Sequence, residues 1–199
     1  MSKQQNTTLF YSNYLVTLNH FSRAKFLGFL CQDEVAQSFS LDEGNWQLQN
    51  IKFNYDFHHY GEDASSLFNP FSTFIINVYE GGERNKFPGK KIRSYTIETN
   101  SKSKDVVNVK VDSLYLTTKK FYISIQKLYI PKNERYNLDP SVHKFGDIAL
   151  KAVYTIEYEP TLYLNSKAEE TYVTRSEYTG KWADINNGAI SISPTLLKF

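Results

Sequence analysis

Residues able to do bond-making chemistry are few in this chain and scattered along it. The single cysteine, Cys31, follows Phe29-Leu30, and the four histidines stand at positions 20, 58, 59 and 143. A catalytic thiol needs a base beside it. Any of the four imidazoles could approach Cys31 through the fold, but a free cysteine in an apolar stretch reads as a small buried hydrophobe. His58 and His59 are adjacent, so on a strand they point to opposite faces. In a loop both could reach one ion, with Glu62 and Asp63 adding oxygens. The spacings H-x-H, H-E-x-x-H and the EF-hand loop are absent, so no transition-metal site is expected. A structural calcium ion is a separate case, since it needs only carboxylates and loop carbonyls. Asp33, Glu34, Asp42, Glu43, Asp63 and Asp147 are candidates, and nothing in the sequence selects among them. A solvated surface is the simpler reading of each.

The remaining catalytic patterns are also missing. No G-x-S-x-G elbow occurs. Glycoside hydrolysis needs two acids facing one cleft, and nothing here pairs them. Gly81-Gly82-Glu83-Arg84 lacks the Lys-Ser/Thr of a phosphate loop and opens no helix, so it reads as a hairpin tip. The chain is therefore expected to be non-catalytic, with no cofactor beyond the possible calcium.

Aromatic side chains are the more informative chemistry. The 199 residues include 15 Tyr, 14 Phe and 2 Trp. Exposed rings in loops stack on sugars, offering an apolar face with a polar edge. Tyr60, Phe68, Tyr136, Tyr178 and Trp182 are the candidate ligand-binding residues. Trp46 is in phase with a strand and is assigned to the core.

Charge narrows the partners. Lys and Arg number 23 against 21 Asp and Glu, for a net charge of +2. That excludes a polyelectrolyte tail and argues against nucleic acid. Lys86, Lys90, Lys91 and Arg93 form a basic cluster, with two more lysines between Ser101 and Lys104. Such charge could touch an anionic surface, and more often keeps a sheet edge from pairing. No apolar run approaches the roughly 18 residues of a spanning helix, so no transmembrane segment is expected.

The elements that must position these residues are strands. Phe74, Ile76 and Val78 alternate with Ile75, Asn77 and Tyr79. Val107, Val109 and Val111 alternate with Asn108, Lys110 and Asp112. Phe121, Ile123 and Ile125 alternate with Tyr122, Ser124 and Gln126. Ile148 to Tyr158 is the longest alternation, and Ile190 and Ile192 alternate with serines before Pro194. Period two marks a strand with one face toward a core. In Trp46 to Tyr55 the phase slips between Leu48 and Ile51, which predicts a β-bulge at Gln49 or Asn50. Phe87-Pro88-Gly89-Lys90 predicts a type II turn, with Pro at its second position and Gly at its third. Helix signals are weak: Asp33 to Phe39 is short, and Asn165 to Thr171 could make one capped turn. Asp56 to Pro70 and Pro131 to Gly146 read as long loops, where binding residues usually sit.

About ten short strands at intervals of roughly 8 to 15 residues predict an all-β fold, a single two-sheet antiparallel β-sandwich. Residues 1–8 read as a disordered lead, and 9–199 as one domain. No secretory leader is visible. If Met1 replaces a removed leader, the chain is exported to the cell surface; otherwise it stays in the cytoplasm.

Several segments, in order, resemble the jelly-roll-like β-sandwich domain of bacterial cell-surface proteins associated with carboxypeptidase-regulatory-like or TonB-receptor modules. They are Glu34 to Phe39, Leu48 to Phe53, Phe74 to Tyr79, Phe87 to Ile92, Val107 to Asp112 and Phe121 to Leu128. The resemblance spans residues 28 to 130, and Ile75 replaces the family's usual Arg. It implies a jelly-roll-like sandwich at an exported location and carries no catalytic residues. The combined expectation is a non-catalytic binding or accessory module that recognises a glycan or a protein partner through loop aromatics. A structural protein that packs against itself or a larger receptor is the alternative, and a hydrolase on a sandwich scaffold is the third.

Overall fold

A computed structural model describes residues 26–27, 34–56, 71–82, 86–100, 106–138, 154–158, 161–165, 171–175 and 179–199. The strands are β1 (Phe26–Leu27), β2 (Glu34–Ser40), β3 (Trp46–Asp56), β4 (Phe71–Gly81), β5 (Pro88–Asn100), β6 (Val106–Leu116) and β7 (Lys120–Gln126). They continue as β8 (Glu134–Leu138), β9 (Tyr154–Tyr158), β10 (Thr161–Asn165), β11 (Thr171–Arg175), β12 (Trp182–Asn187), β13 (Ala189–Ile190) and β14 (Ile192–Lys198). No α-helix occurs among the described residues.

Two antiparallel sheets pack as a sandwich. In the first, β6, β14 and β10 all pair with β3, while β1 and β13 pair with β10. In the second the order is β12-β11-β2-β7-β4-β5. β8 and β9 form a separate antiparallel pair. The alternating residues account for the packing. Val35, Phe39, Phe74, Ile76, Val78, Phe121, Ile123 and Ile125 of the second sheet share one buried cluster with Trp46, Leu48, Ile51, Phe53, Val109, Val111, Ile190 and Ile192 of the first. Phe53 meets Phe74 edge to face at 5.3 Å between ring centres, joining the layers at a favoured aromatic geometry.

The predicted bulge is present. β14 pairs Thr195 with Asn50 and then Leu196 with Leu48, and β6 also shifts register between Leu48 and Asn50. Skipping Gln49 lets Trp46, Leu48, Ile51 and Phe53 all face the core. Of the expected hairpin tip, Gly81 closes β4 opposite Pro88 and the Gly82 N–H donates to the Phe87 carbonyl at 2.7 Å, while Glu83 and Arg84 lie outside the described residues.

Other expectations are corrected. Pro88 and Gly89 make no type II turn but open β5, an edge strand, where a first-position proline sacrifices no ladder bond. Gly89 is needed for closeness, since a Cβ there would lie 2.8 Å from the Gly82 Cα. The Asp33 to Phe39 stretch is strand β2 from Glu34 onward. The loop expected from Pro131 begins with a 3₁₀ turn at Pro131–Asn133 and strand β8. β14 runs on through Pro194, which an edge strand tolerates. Of the long alternation, Tyr154–Tyr158 is strand. Residues 1–8, 57–70, 139–153 and 166–170 lie outside the described residues.

Asn133 is the best-defined polar anchor outside the ladders. Its buried side-chain amide accepts from the Thr73 backbone N–H at 2.8 Å and donates to the Thr73 carbonyl at 2.6 Å and the Leu128 carbonyl at 2.8 Å. A side chain thereby serves β4 as a one-residue strand partner.

Candidate functional site

The second sheet carries polar residues on the face turned away from the core. Register brings them together. Glu34 of β2 sits opposite Arg175 of β11 and Gln126 of β7, and Ser124 of β7 sits opposite Asn77 of β4. Glu34 is only 1% exposed. A buried carboxylate is tolerated only when charge and hydrogen bonds compensate it. Its Oε1 accepts from Asn77 Nδ2 at 2.8 Å, from the Tyr79 hydroxyl at 2.7 Å, and from Ser124 Oγ. Its Oε2 pairs with Arg175 Nη2. Asn77 in turn donates to Gln126 Oε1 at 3.1 Å and accepts from Ser94 Oγ at 2.7 Å.

Aromatic contacts close the circuit. The Arg175 guanidinium lies 5.0 Å from the centre of the Trp182 ring, and Trp182 meets Tyr79 edge to face at 5.7 Å. Tyr79, Tyr122, Ala36 and Val173 form a second buried cluster, with Phe87 and Trp182 packed against it. Burial and the Glu34 carboxylate both push the Tyr79 phenol well above the usual tyrosine range. With both oxygens of Glu34 occupied, this centre fixes five strands by compensated charge and offers no open acid or base.

The opposite wall presents apolar surface to solvent. Tyr115 on β6, Gln47 on β3 and Leu197 on β14 stand in one cross-strand row. Tyr115 is 61% exposed and Phe199 is 63% exposed, and their rings lie 6.0 Å apart at an interplanar angle of 35°. Gln47 beneath them is buried and accepts from Gln49 Nε2 at 2.7 Å. The Phe199 N–H donates to the Asn45 carbonyl at 3.0 Å.

Of the five residues singled out by sequence, Trp182 opens strand β12 and is half-buried against Arg175 and Tyr79. Tyr136 is on strand β8, not in a loop, and its side chain is outside the described set. Tyr60, Phe68 and Tyr178 lie outside the described residues. Trp46 is buried in the core, its Nε1 donating to the Asp42 carbonyl at 2.9 Å. Among the calcium candidates, Glu34 is consumed by its four donors, and Glu43 pairs with Lys119 at 3.2 Å. Among the described residues, no three His, Cys, Asp or Glu side chains gather where a metal could bind. Sequence reading passed over Tyr115 and Arg175. The signal for Tyr115 was its place between Leu114 and Leu116, which both face the core and so turn it outward.

The chain matches no protein-family model, no curated protein and no solved structure.

Proposed function

We propose that this chain is a non-catalytic binding module that takes a glycan on the outward face of its first sheet. The observation that carries this reading is the Tyr115–Phe199 pair, two neighbouring rings, both more than half exposed. Ring faces of this kind stack on the apolar faces of sugars. The half-buried amides Gln49 and Asn50 flank the row at the bulge and supply donors and acceptors for hydroxyls. The Tyr115 backbone is held in register with Gln47 of β3, the strand through which that sheet is joined. The motif order that resembles bacterial surface domains supports a setting at the cell surface.

Affinity electrophoresis through gels containing neutral polysaccharides tests the reading. The wild-type chain is retarded in at least one gel, and Tyr115→Ala loses at least tenfold in affinity. Lack of retardation in every gel, or equal retardation of the variant, refutes it. Trp182→Ala and Tyr60→Ala in the same gels decide whether the rings singled out by sequence contribute.

One observation favours assembly as a second reading: Leu197, also exposed, stands in the same cross-strand row as Tyr115 and adds apolar surface to that wall. Sedimentation over a wide concentration range separates the readings. A mass that rises with concentration in wild type and stays monomeric in Leu197→Asp assigns the patch to a second copy of the chain.

A further inference from the structure

The aromatic cluster on the outward face of the second sheet has a consistent chemical lid. Among the described residues it contains four rings, and each carries a cation. Lys91 Nζ lies 5.6 Å from the centre of Tyr79, Lys120 Nζ 5.4 Å from Tyr122, Lys86 Nζ 5.4 Å from Phe87, and the Arg175 guanidinium 5.0 Å from Trp182. All four distances are within the reach of a cation–π contact. The rings are contiguous, since Tyr79 sits opposite both Tyr122 and Lys91 in register and Trp182 abuts Tyr79. Tyr79 and Tyr122 are themselves buried. What this part of the face offers to solvent is therefore ammonium rather than ring.

Lys91 and Lys120 rest on rings instead of carboxylates. Among the described residues, neither has an acidic partner within ion-pair distance. Partial burial of Lys120 lowers its ammonium pKa, a sign that its charge lacks full solvation. Exposed Lys90 stands beside Lys91, and exposed Lys181 beside Trp182. A lysine held against a ring has already lost much of its freedom, so an anion that pairs with it orders less. Hydroxyls fringe the same face: Ser40 stands opposite Lys120, while Ser94 and Thr96 continue the outward row of β5 beyond Lys91, and all three are exposed.

We propose that this cation-capped face is a second binding surface, independent of the Tyr115 patch, and that it takes an anionic polysaccharide bearing sulfate or carboxylate groups. Fixed cations pair with the anionic groups, and the serine and threonine hydroxyls meet those of the sugar. Nucleic acid fits less well, because single-stranded bases need open rings to stack on, and Tyr79 and Tyr122 at the centre of this face are buried beneath their lysines.

The test is affinity electrophoresis and titration of the full chain with heparin and with polygalacturonate. Wild type binds at least one of them, and binding weakens as salt rises. Lys91→Gln/Lys120→Gln loses at least tenfold, Lys91→Arg/Lys120→Arg retains binding, and Lys52→Gln/Lys110→Gln on the opposite wall is unchanged. Circular dichroism melts of each variant separate lost charge from lost fold. Tyr115→Ala leaves polyanion binding intact, so failure of the neutral-glycan reading does not carry over. Lack of binding to either polyanion, equal loss in the Lys52/Lys110 pair, or binding of single-stranded oligothymidylate in preference to both glycans overturns the proposal.

Discussion

Glu34 illustrates how one residue type can be misjudged from sequence and still be decisive. As an acid in a polar stretch it reads as solvated surface or a loose calcium ligand. In the fold it is enclosed by Asn77, Tyr79, Ser124 and Arg175. Its identity was visible at once; its burial was not, because three of the four partners lie more than 40 positions away and the fourth 141. Losing one member of such a centre costs more than the pair contributes, since the partners stay buried and unpaired. Glu34→Gln keeps the shape, removes the charge and replaces one acceptor with a donor. It is expected to destabilise by about 3 kcal/mol, whereas Tyr79→Phe, which deletes a single donor, costs about 1 kcal/mol. Urea unfolding of both variants checks the order; equal midpoints for Glu34→Gln and wild type would show that the centre is not what holds these strands.

At the scale of elements, period two carried most of the fold. Phe74–Val78, Val109–Val111 and Phe121–Ile125 bury the expected side. The bulge was legible for the same reason, because Leu48 and Ile51 could not both face inward without an extra residue. Pro88-Gly89 misled because the dipeptide suits two structures. It makes a turn when followed by a reversal, and it opens an edge strand when a second glycine lies across from it. Gly82 and Gly89 approach so closely that a side chain on either would meet backbone. Gly89→Ala is therefore expected to cost about 2 kcal/mol through forced backbone movement. Gly180→Ala costs about 1 kcal/mol by a different route, since its φ is +63° and nothing lies within 4 Å. Thermal melts of the two variants test that ranking. The candidate sites were less legible than the strands. Alternation tells which side a residue takes, and it is silent on whether water reaches that side. Tyr122 and Ser124 follow the pattern of a wet face and are buried.

For the molecule as a whole, buried phenols set a limit on alkaline stability. The Tyr79 hydroxyl is raised first by burial and then by Glu34, and Tyr95 and Tyr172 are raised chiefly by burial. An unfolded chain releases such protons near pH 10. Below that pH both states hold them and the stabilisation is complete. Above it the unfolded state ionises first, so stability falls as pH climbs toward the folded values, by up to about 1.4 kcal/mol per pH unit for each group. Urea midpoints are thus expected to be flat from pH 8 to 9.5 and to drop from pH 10 to 11.5, with a shallower drop in Tyr79→Phe. An equal slope in both would remove Tyr79 from the account. The second sheet also has a consequence for alignment. Val35 and Ala36, Ile123 and Ser124, and Ile76 and Asn77 are fully hidden from water in adjacent pairs, one of each turned to either side. A slip of one position would press Glu34, Asn77 and Ser124 into oil and strand valine and isoleucine against a guanidinium. The two sides work as a key cut on both edges, so the central strands β2, β7 and β4 have one way to mesh even where no tight turn dictates it.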